Sequence, residues 1–306
     1  MRFAVASVTH SNFLRRAHRS RAVSGCCRMW SYGHRFLSYH LYTPPAAASS
    51  SSPLPLVLWL HGGTWVNYER LDDNELINHT VFFALQTKHP HFVLRPIARR
   101  RSNWMAPYHG PRSGSHALSA RPPPSLGLAS ALLDEVVHTL GEKVDRTHLI
   151  AVGASMGGYG VWELLERRPG LFRTAIAICG GGDLALAHLL NRTRIWAFHA
   201  ADDDTVPVNA SREMVEAIVR ARGVQASVRR SRTYQPVRTT VGMQMRVEAV
   251  EKWLRRDVIG TEGAWEAKDG RARFADLRFS EYLRGGHDAW TRALSDKRVG
   301  KWALKG

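Results

Sequence analysis

The feature that most constrains the fold of this chain is a series of short apolar runs that lack the polar alternation of a half-exposed strand. These runs occupy residues 56–60, 92–94, 148–152, 174–178 and 195–198. A strand with one face in water alternates apolar and polar residues, whereas a parallel strand covered on both faces reads as a continuous apolar run. The pattern therefore predicts parallel strands buried inside a sheet.

Helical patterns separate several of these runs. In residues 125–140 apolar side chains recur at i, i+3 and i+4, with Ser125 as the predicted N-cap and Gly141 as the predicted stop. Residues 214–222 read as a second helix, which ends at Gly223. Strands that alternate with helices of this length predict an α/β fold with a mostly parallel sheet flanked by helices.

The chain is long enough and apolar enough to form a globular domain with a buried core. The chain has 306 residues, of which 44% are hydrophobic, and a chain of this kind can bury a core. Its longest apolar runs are much shorter than the roughly 20 residues of a membrane-spanning helix. We therefore expect one globular domain without a transmembrane segment.

The chain is strongly basic, with 43 lysines and arginines against 26 acidic residues and a formal net charge of +17. Arginine is scattered along the whole sequence, with local clusters at residues 99–101 and 229–232. Neither cluster is interleaved with aromatic residues that could stack on bases. We therefore expect no specific nucleic-acid partner; the alternative, a polyanion-binding protein, would show a steep salt dependence.

The first segment of the chain differs from the rest in composition. Residues 1–32 are rich in arginine and serine and contain no acidic residue, which is typical of a mitochondrial or plastid transit peptide; a disordered basic tail is the alternative. The three cysteines, Cys26, Cys27 and Cys179, are too few for a disulfide framework. We expect an intracellular protein, in an organelle if the leader is a targeting signal and in the cytoplasm otherwise, with its folded domain at residues 33–306.

A candidate nucleophile follows the apolar run at 148–152. Residues 153–158 read Gly-Ala-Ser-Met-Gly-Gly, a G-x-S-x-G pattern with Ser155 at its centre, and a helical stretch comes next. A sharp strand-to-helix turn of this kind exposes a serine hydroxyl, and the glycines allow the turn to pack closely. The alternative is a glycine-rich turn whose serine has no chemical role.

A serine hydroxyl is a weak nucleophile, so the chain must also supply a base and an acid. In proteins with this elbow the acid and then a histidine follow the serine along the chain, each in a loop after a strand. The run at 195–198 leads into a loop with three carboxylates, Asp202, Asp203 and Asp204. Near the end of the chain, His287 lies in a glycine-rich loop after a strand-like segment and is the predicted base.

A second glycine-rich turn follows the first apolar run, in the sequence Leu-His-Gly-Gly at residues 60–63. Glycines here let the backbone approach a substrate closely. The amides of Gly63 and Met156 are therefore the predicted oxyanion hole. His61 is expected to have a structural role in the same turn.

Together these motifs resemble the α/β-hydrolase superfamily, and in particular its esterase branch, which holds phospholipase/carboxylesterases, feruloyl and acetylxylan esterases, polyhydroxybutyrate depolymerases and predicted peptidases. In that branch the acid lies three residues before a Val-Pro pair, which here is Val206-Pro207, so the resemblance assigns the acid to Asp203. It implies the α/β-hydrolase fold for residues 33–306. Two departures are Ala200, where the family has glycine, and an insertion at about 235–271 before the histidine, which is a lid or a surface loop and contains a predicted helix at 247–256.

The predicted function is that of a serine hydrolase that cleaves small-molecule carboxylic esters through an acyl-enzyme, with Ser155, Asp203 and His287 as its catalytic triad. No metal or organic cofactor is expected. Trp65, Tyr159 and Trp290 are candidates for the substrate pocket. A serine peptidase with the same triad is the first alternative, and an inactive binding protein on a hydrolase fold is the second. The sequence makes no prediction of the oligomeric state.

Overall fold

A ten-stranded sheet runs through the part of the chain that the computed structural model describes, which is residues 28–32, 35–63, 80–99, 102–105, 117–222, 227–232, 254–260 and 276–305. In chain order the strands are β1 (Arg28–Tyr32), β2 (Arg35–Tyr42), β3 (Leu54–Leu60), β4 (Phe92–Ile97), β5 (Val144–Ala154), β6 (Thr174–Ile178), β7 (Arg194–Ala200), β8 (Ser227–Arg232), β9 (Leu254–Gly260) and β10 (Leu277–Tyr282). Across the sheet their order is β1-β2-β4-β3-β5-β6-β7-β10-β9-β8.

The centre of the sheet is parallel and both edges are antiparallel. Strands β4, β3, β5, β6, β7 and β10 run in one direction. The pair β1 and β2 closes one edge and the pair β9 and β8 the other, each by antiparallel pairing. The five apolar runs lie in the five consecutive strands β3 to β7, so the predicted mostly parallel sheet is confirmed.

Helices cover both faces of this sheet, which explains why its central strands are apolar on both sides. On β3, Leu56, Leu58 and Leu60 face one core, which also contains residues of α2 (Pro124–Leu140), α3 (Met156–Arg167) and α4 (Asn209–Arg222). Val57 and Trp59 face the other core, which contains residues of α1 (Val81–Ala84), α5 (Ala289–Ser295) and α6 (Lys297–Leu304). Among the described helices, none is both long enough and apolar enough to cross a bilayer.

The start of α2 differs from the prediction. The helix begins at Pro124, with Pro123 in the N-cap position and no side-chain cap. A proline at the first helical position is well tolerated because its missing N–H would have no helical partner. Ser125 is instead buried, where its hydroxyl accepts from the amide of Arg99 at 3.1 Å and donates to Ser102 Oγ at 2.8 Å. The predicted stop at Gly141 is confirmed, with φ of 58°.

Two further segments differ from the sequence analysis. The predicted helix at 247–256 is wrong for its last three residues, which lie in β9, where Arg255 pairs with Tyr282 of β10. The helix prediction rests on opposite charges at i, i+4 spacing in the sequence. Each such pair stabilises a helix by only a few tenths of a kcal/mol, so pairing with a neighbouring strand overrides them. Strand β1 lies within the proposed leader and pairs with β2. Residues 1–27, and the rest of the insertion outside β9, lie outside the described residues.

Candidate active site

The predicted site residues meet at the carboxyl ends of the parallel strands. Ser155 follows β5, Asp203 lies in the loop after β7, and His287 lies in the loop after β10. Because β5, β6, β7 and β10 are consecutive neighbours in the sheet, loops at the same ends of these strands converge. Ligands of open α/β sheets bind outside this edge.

Ser155 occupies a strained turn between β5 and α3. Its backbone has φ of 55° and ψ of −120°, a conformation that residues other than glycine rarely adopt. The turn is fixed by the amide of Ser155, which donates to the carbonyl oxygen of Ile178 at 2.8 Å. It is also packed so tightly that a Cβ on Gly157 would overlap the carbonyl oxygen of Leu60 at the end of β3.

The three predicted triad side chains form one hydrogen-bonded chain. Ser155 Oγ donates to His287 Nε2 at 2.8 Å. His287 Nδ1 donates to Asp203, at 2.8 Å to Oδ2 and 3.0 Å to Oδ1. The imidazole is also supported by the Trp290 ring, which lies edge-on to it with ring centres 5.2 Å apart. This geometry lets His287 take a proton from the serine while the carboxylate fixes its tautomer.

The three carboxylates that follow β7 have different hydrogen-bond partners in the structure. Only Asp203, whose side chain is fully buried, contacts His287. Asp202 accepts from the amide of Gly286 at 2.8 Å and so ties this loop to the histidine loop. Asp204 is exposed and accepts from the hydroxyl of Thr205 at 3.2 Å. The position of Asp203 agrees with the assignment that the family resemblance implied.

Hydrogen bonding keeps Asp203 ionised in spite of its burial. Burial alone raises the pKa of a carboxyl group, but side-chain contacts from His199 and His287 and the amides of Val206 and Thr205 outweigh it. Both of these amides donate to Oδ1 at 2.9 Å. Together these donors hold the pKa of Asp203 well below its ordinary value, so the group remains an anion.

A cavity of about 440 Å³ opens beside Ser155. Both predicted oxyanion-hole residues, Gly63 and Met156, line it, and so does the predicted pocket residue Tyr159. Trp290 is not among its lining residues and instead packs on the His287 ring, while Trp65 lies outside the described residues. The sequence analysis did not predict the other lining residues, which are Asn103, Met105, Asp204, Thr205, Val206 and Pro207.

His61 has the structural role that the sequence suggested. Its Nδ1 donates to the carbonyl oxygen of Gly62 at 2.8 Å, and its Nε2 accepts from the amide of Ala98 at 3.0 Å. Trp104 donates to the His61 carbonyl oxygen at 2.9 Å. Burial lowers the pKa of His61 to about 4, so the ring is neutral and fixes the turn that carries Gly63.

Cys179 follows the last residue of β6 and lies beside the predicted triad residues Asp203 and His287. It is fully buried, and its thiol donates to the carbonyl oxygen of His287 at 3.7 Å. Its Sγ and ligand atoms of Asp203 and His287 lie within 4.8 Å of one another, a spacing that could hold a metal ion. However, burial raises the pKa of this thiol well above its usual value, and a neutral thiol is a poor metal ligand.

Glu166 of α3 is a buried acid that the sequence analysis missed. One oxygen, Oε1, accepts from the amide of Asp183 at 2.8 Å. Among the described residues, Oε2 has no hydrogen-bond partner. Burial is the largest cause that raises the pKa of Glu166 well above its ordinary value, so the fold favours the neutral form of this carboxyl group.

This raised pKa predicts how stability depends on pH. A carboxyl group that favours its neutral form in the folded state stabilises the fold fully below its unfolded pKa of about 4.3, and this contribution is lost as pH rises through the folded pKa. The Glu166→Gln variant should therefore gain in stability relative to the wild type as pH rises. Thermal melts of both proteins at several pH values measure this difference, and a difference independent of pH would contradict it.

Comparison with known proteins places these features in a known fold. No family model and no curated protein matches the sequence. Solved structures do match. One is a thermostable esterase (21% identity, TM-score 0.65, covering 92% of this chain and 63% of that chain). Another is an acetyl xylan esterase from Aspergillus awamori (13% identity, TM-score 0.52, covering 86% of this chain and 94% of that chain). A third is an acylaminoacyl peptidase from Pyrococcus horikoshii (12% identity, TM-score 0.52, covering 96% of this chain and 42% of that chain).

The chain thus spans less than two thirds of the thermostable esterase and of the peptidase, and nearly all of the acetyl xylan esterase. Sequence identities this low carry the fold and not the substrate. With a parallel sheet covered by helices on both faces and these structural neighbours, the chain has the α/β-hydrolase fold.

Proposed function

We propose that the protein is a serine hydrolase that cleaves carboxylic esters through an acyl-enzyme. The observation that carries the proposal is the continuous chain of hydrogen bonds from Ser155 through His287 to Asp203. It begins at a serine in a strained turn beside a cavity. Backbone strain at such a position is typical of active sites, where the surrounding structure holds it.

In the acylation step Ser155 Oγ attacks the ester carbonyl carbon, and its proton passes to His287 Nε2. The negative charge of Asp203 stabilises the imidazolium that forms, and the hydrogen bond to Nδ1 keeps the ring in place. The tetrahedral intermediate then expels the alcohol, which takes the proton from His287 Nε2. The product is an acyl group bound to Ser155.

The negative oxygen of the tetrahedral intermediate needs donors that are already in place. The amides of Gly63 and Met156 fit this role, because both residues line the cavity beside Ser155 and Met156 is the first residue of α3. The amino end of a helix also favours negative charge. In the second step a water molecule gives a proton to His287 and attacks the acyl carbon. The second tetrahedral intermediate then collapses, Ser155 Oγ takes the proton back from His287 Nε2, and the carboxylic acid is released.

The cavity supports a small substrate with an apolar part. Met105, Met156, Tyr159 and Val206 supply apolar surface, and about 440 Å³ is at the lower end of volumes seen for ligand pockets. A peptidase remains the alternative function, since an acylaminoacyl peptidase is among the structural neighbours. Esters are favoured because an alcohol leaves from the tetrahedral intermediate more readily than an amine.

A parallel assay of an ester and an amide tests the proposal. Purified protein should hydrolyse p-nitrophenyl acetate with kcat/KM on the order of 10⁴ M⁻¹ s⁻¹, and it should cleave the p-nitroanilide of acetyl-phenylalanine far more slowly. Faster cleavage of the anilide would assign the protein to the peptidases. Absence of turnover with both substrates would support an inactive binding protein on this fold.

A further inference from the structure

A second buried histidine approaches the acid of the triad. His199 is the residue before the last in β7 and lies four positions before Asp203. Its ring is fully buried between the loop after β7 and Ser211 of α4. The function proposed above gives this residue no role.

One ring nitrogen of His199 faces only acceptors. Nε2 lies 3.0 Å from the carbonyl oxygen of Val206 and 3.3 Å from Oδ2 of Asp203. A carbonyl oxygen and an ionised carboxylate cannot donate, so Nε2 must carry the ring proton. The same oxygen, Oδ2, accepts from His287 Nδ1 at 2.8 Å. The Nε2–H group donates to the Val206 carbonyl oxygen and also lies beside Oδ2, so an imidazole nitrogen flanks this carboxylate oxygen on each side.

The other ring nitrogen is held just as firmly. Nδ1 of His199 lies 2.8 Å from Ser211 Oγ, and the same hydroxyl oxygen lies 2.8 Å from the carbonyl oxygen of Gly180. Gly180 belongs to the segment after β6, and Ser211 belongs to the first turn of α4. The imidazole is thus anchored to two elements of the fold on the side away from Asp203, which limits its rotation.

The charged groups around His199 come from neighbouring elements. On β10, Glu281 is the residue paired with His199 across the sheet, and it forms a two-point ion pair with Arg212 of α4 at 2.6 and 2.8 Å. That pair balances its own charge. Among the described residues, Asp203 is the acidic group within ion-pairing distance of His199, and it also contacts His287.

We propose that His199 is a positioning residue for the reaction, one that fixes the Asp203 carboxylate and shares its charge through the Nε2–H group. This inference rests on the proposed serine-hydrolase function. A carboxylate held from both sides keeps its orientation towards His287 while the proton moves between Ser155 and the imidazole. Without His199, the carboxylate is held only by His287 and by the two amides on Oδ1, and more of its negative charge acts on His287.

Two substitutions of His199 separate this role from simple packing. The amide nitrogen of glutamine reaches about as far as Nε2 and can still donate to Asp203, whereas that of asparagine reaches only the position of Nδ1. His199→Asn should lower kcat for p-nitrophenyl acetate about 10- to 100-fold with little change in KM. His199→Gln should retain most of the wild-type kcat.

The pH profile gives a readout that a packing defect would not move. Because more of the negative charge of Asp203 acts on His287 in His199→Asn, the acidic limb of the kcat/KM profile should shift to higher pH. It should stay in place in His199→Gln and in the control His91→Asn. His91 is also fully buried, and its Nδ1 contacts the carbonyl oxygen of His89 rather than the triad.

The outcomes distinguish this inference from the proposed function. If the wild type hydrolyses the ester and both His199 variants match it in kcat and pH profile, His199 does not position Asp203. If the wild type itself is inactive, the proposed function fails instead. Should His199→Asn not fold, NMR of the ¹⁵N-histidine-labelled wild type provides the test: we expect a protected proton on Nε2 of His199, and an unprotonated Nε2 overturns the inference.

Discussion

Replacing Ser155 by alanine should lower kcat/KM for p-nitrophenyl acetate by about 10⁴-fold or more. The substitution removes the only atom of the triad that forms a bond to the substrate, while the cavity and the predicted oxyanion-hole residues remain. The melting temperature should stay close to that of the wild type, because the Ser155 side chain makes its contact with His287 at the surface of the cavity. Steady-state kinetics on both proteins measure the effect.

A second variant at this position provides a matched control for folding. Ser155→Gly should be as inactive as Ser155→Ala but more stable, since φ of 55° and ψ of −120° suit glycine and cost other residues about 1 to 3 kcal/mol. Equal ester turnover by the wild type and Ser155→Ala would mean that another group performs the chemistry. Equal turnover at only the uncatalysed rate would instead revive the inactive hydrolase-fold binding protein.

The largest effect on stability is expected from Gly157→Ala. The new methyl group would overlap the backbone of Leu60 and His61, where α3 packs against the end of β3. Backbone atoms cannot move aside as the end of a side chain can, so we expect a loss of about 3 kcal/mol or more, equivalent to a fall in Tm of about 10 °C. Calorimetry or a thermal melt followed by circular dichroism measures this change.

Gly170→Ala is the control for the backbone effect of replacing a glycine. Gly170 has φ of 79° and no atom within 4 Å of the added Cβ, so only the conformational penalty of about 1 kcal/mol remains. If the two variants melt at the same temperature, the packing of the turn against β3 does not hold Ser155 in place, contrary to the close contacts described above.

The centre of the fold was predictable because its sequence signal is local. Each run of apolar residues from 56–60 to 195–198 corresponds to one strand, and each strand is covered on both faces, so burial alone explains the pattern. The edges were less predictable. The first three residues of β9 belong to the helix predicted at 247–256 but lie in a strand that pairs with β10, and β1 lies within a segment that composition assigned to a leader.

The candidate site also contains residues that the sequence predicted and residues that it did not. Chain order and loop setting led to Ser155 and His287, and only the family resemblance selected Asp203 from three adjacent acids, since their sequence surroundings are almost identical. The structure brings these three side chains together. Asn103 and Met105 could not be predicted as cavity residues, because they lie in irregular chain after β4 and carry no motif.

The contact of His199 with Asp203 could not be predicted either. The sequence places the two residues four apart, which is within reach in a helix, but here the chain turns after β7 and returns the carboxylate towards the strand. The contacts with Ser211 and Val206 that fix the ring depend on α4 and on this turn. Such a network arises from tertiary packing, and no single sequence motif predicts it.

Labelling with a fluorophosphonate, followed by intact-mass measurement and peptide mapping, shows whether Ser155 is the nucleophile. We predict one adduct per wild-type chain, located on Ser155, with no adduct in Ser155→Ala and much slower labelling in His287→Ala. An unlabelled wild-type protein, or an adduct on any residue other than Ser155, would contradict this prediction.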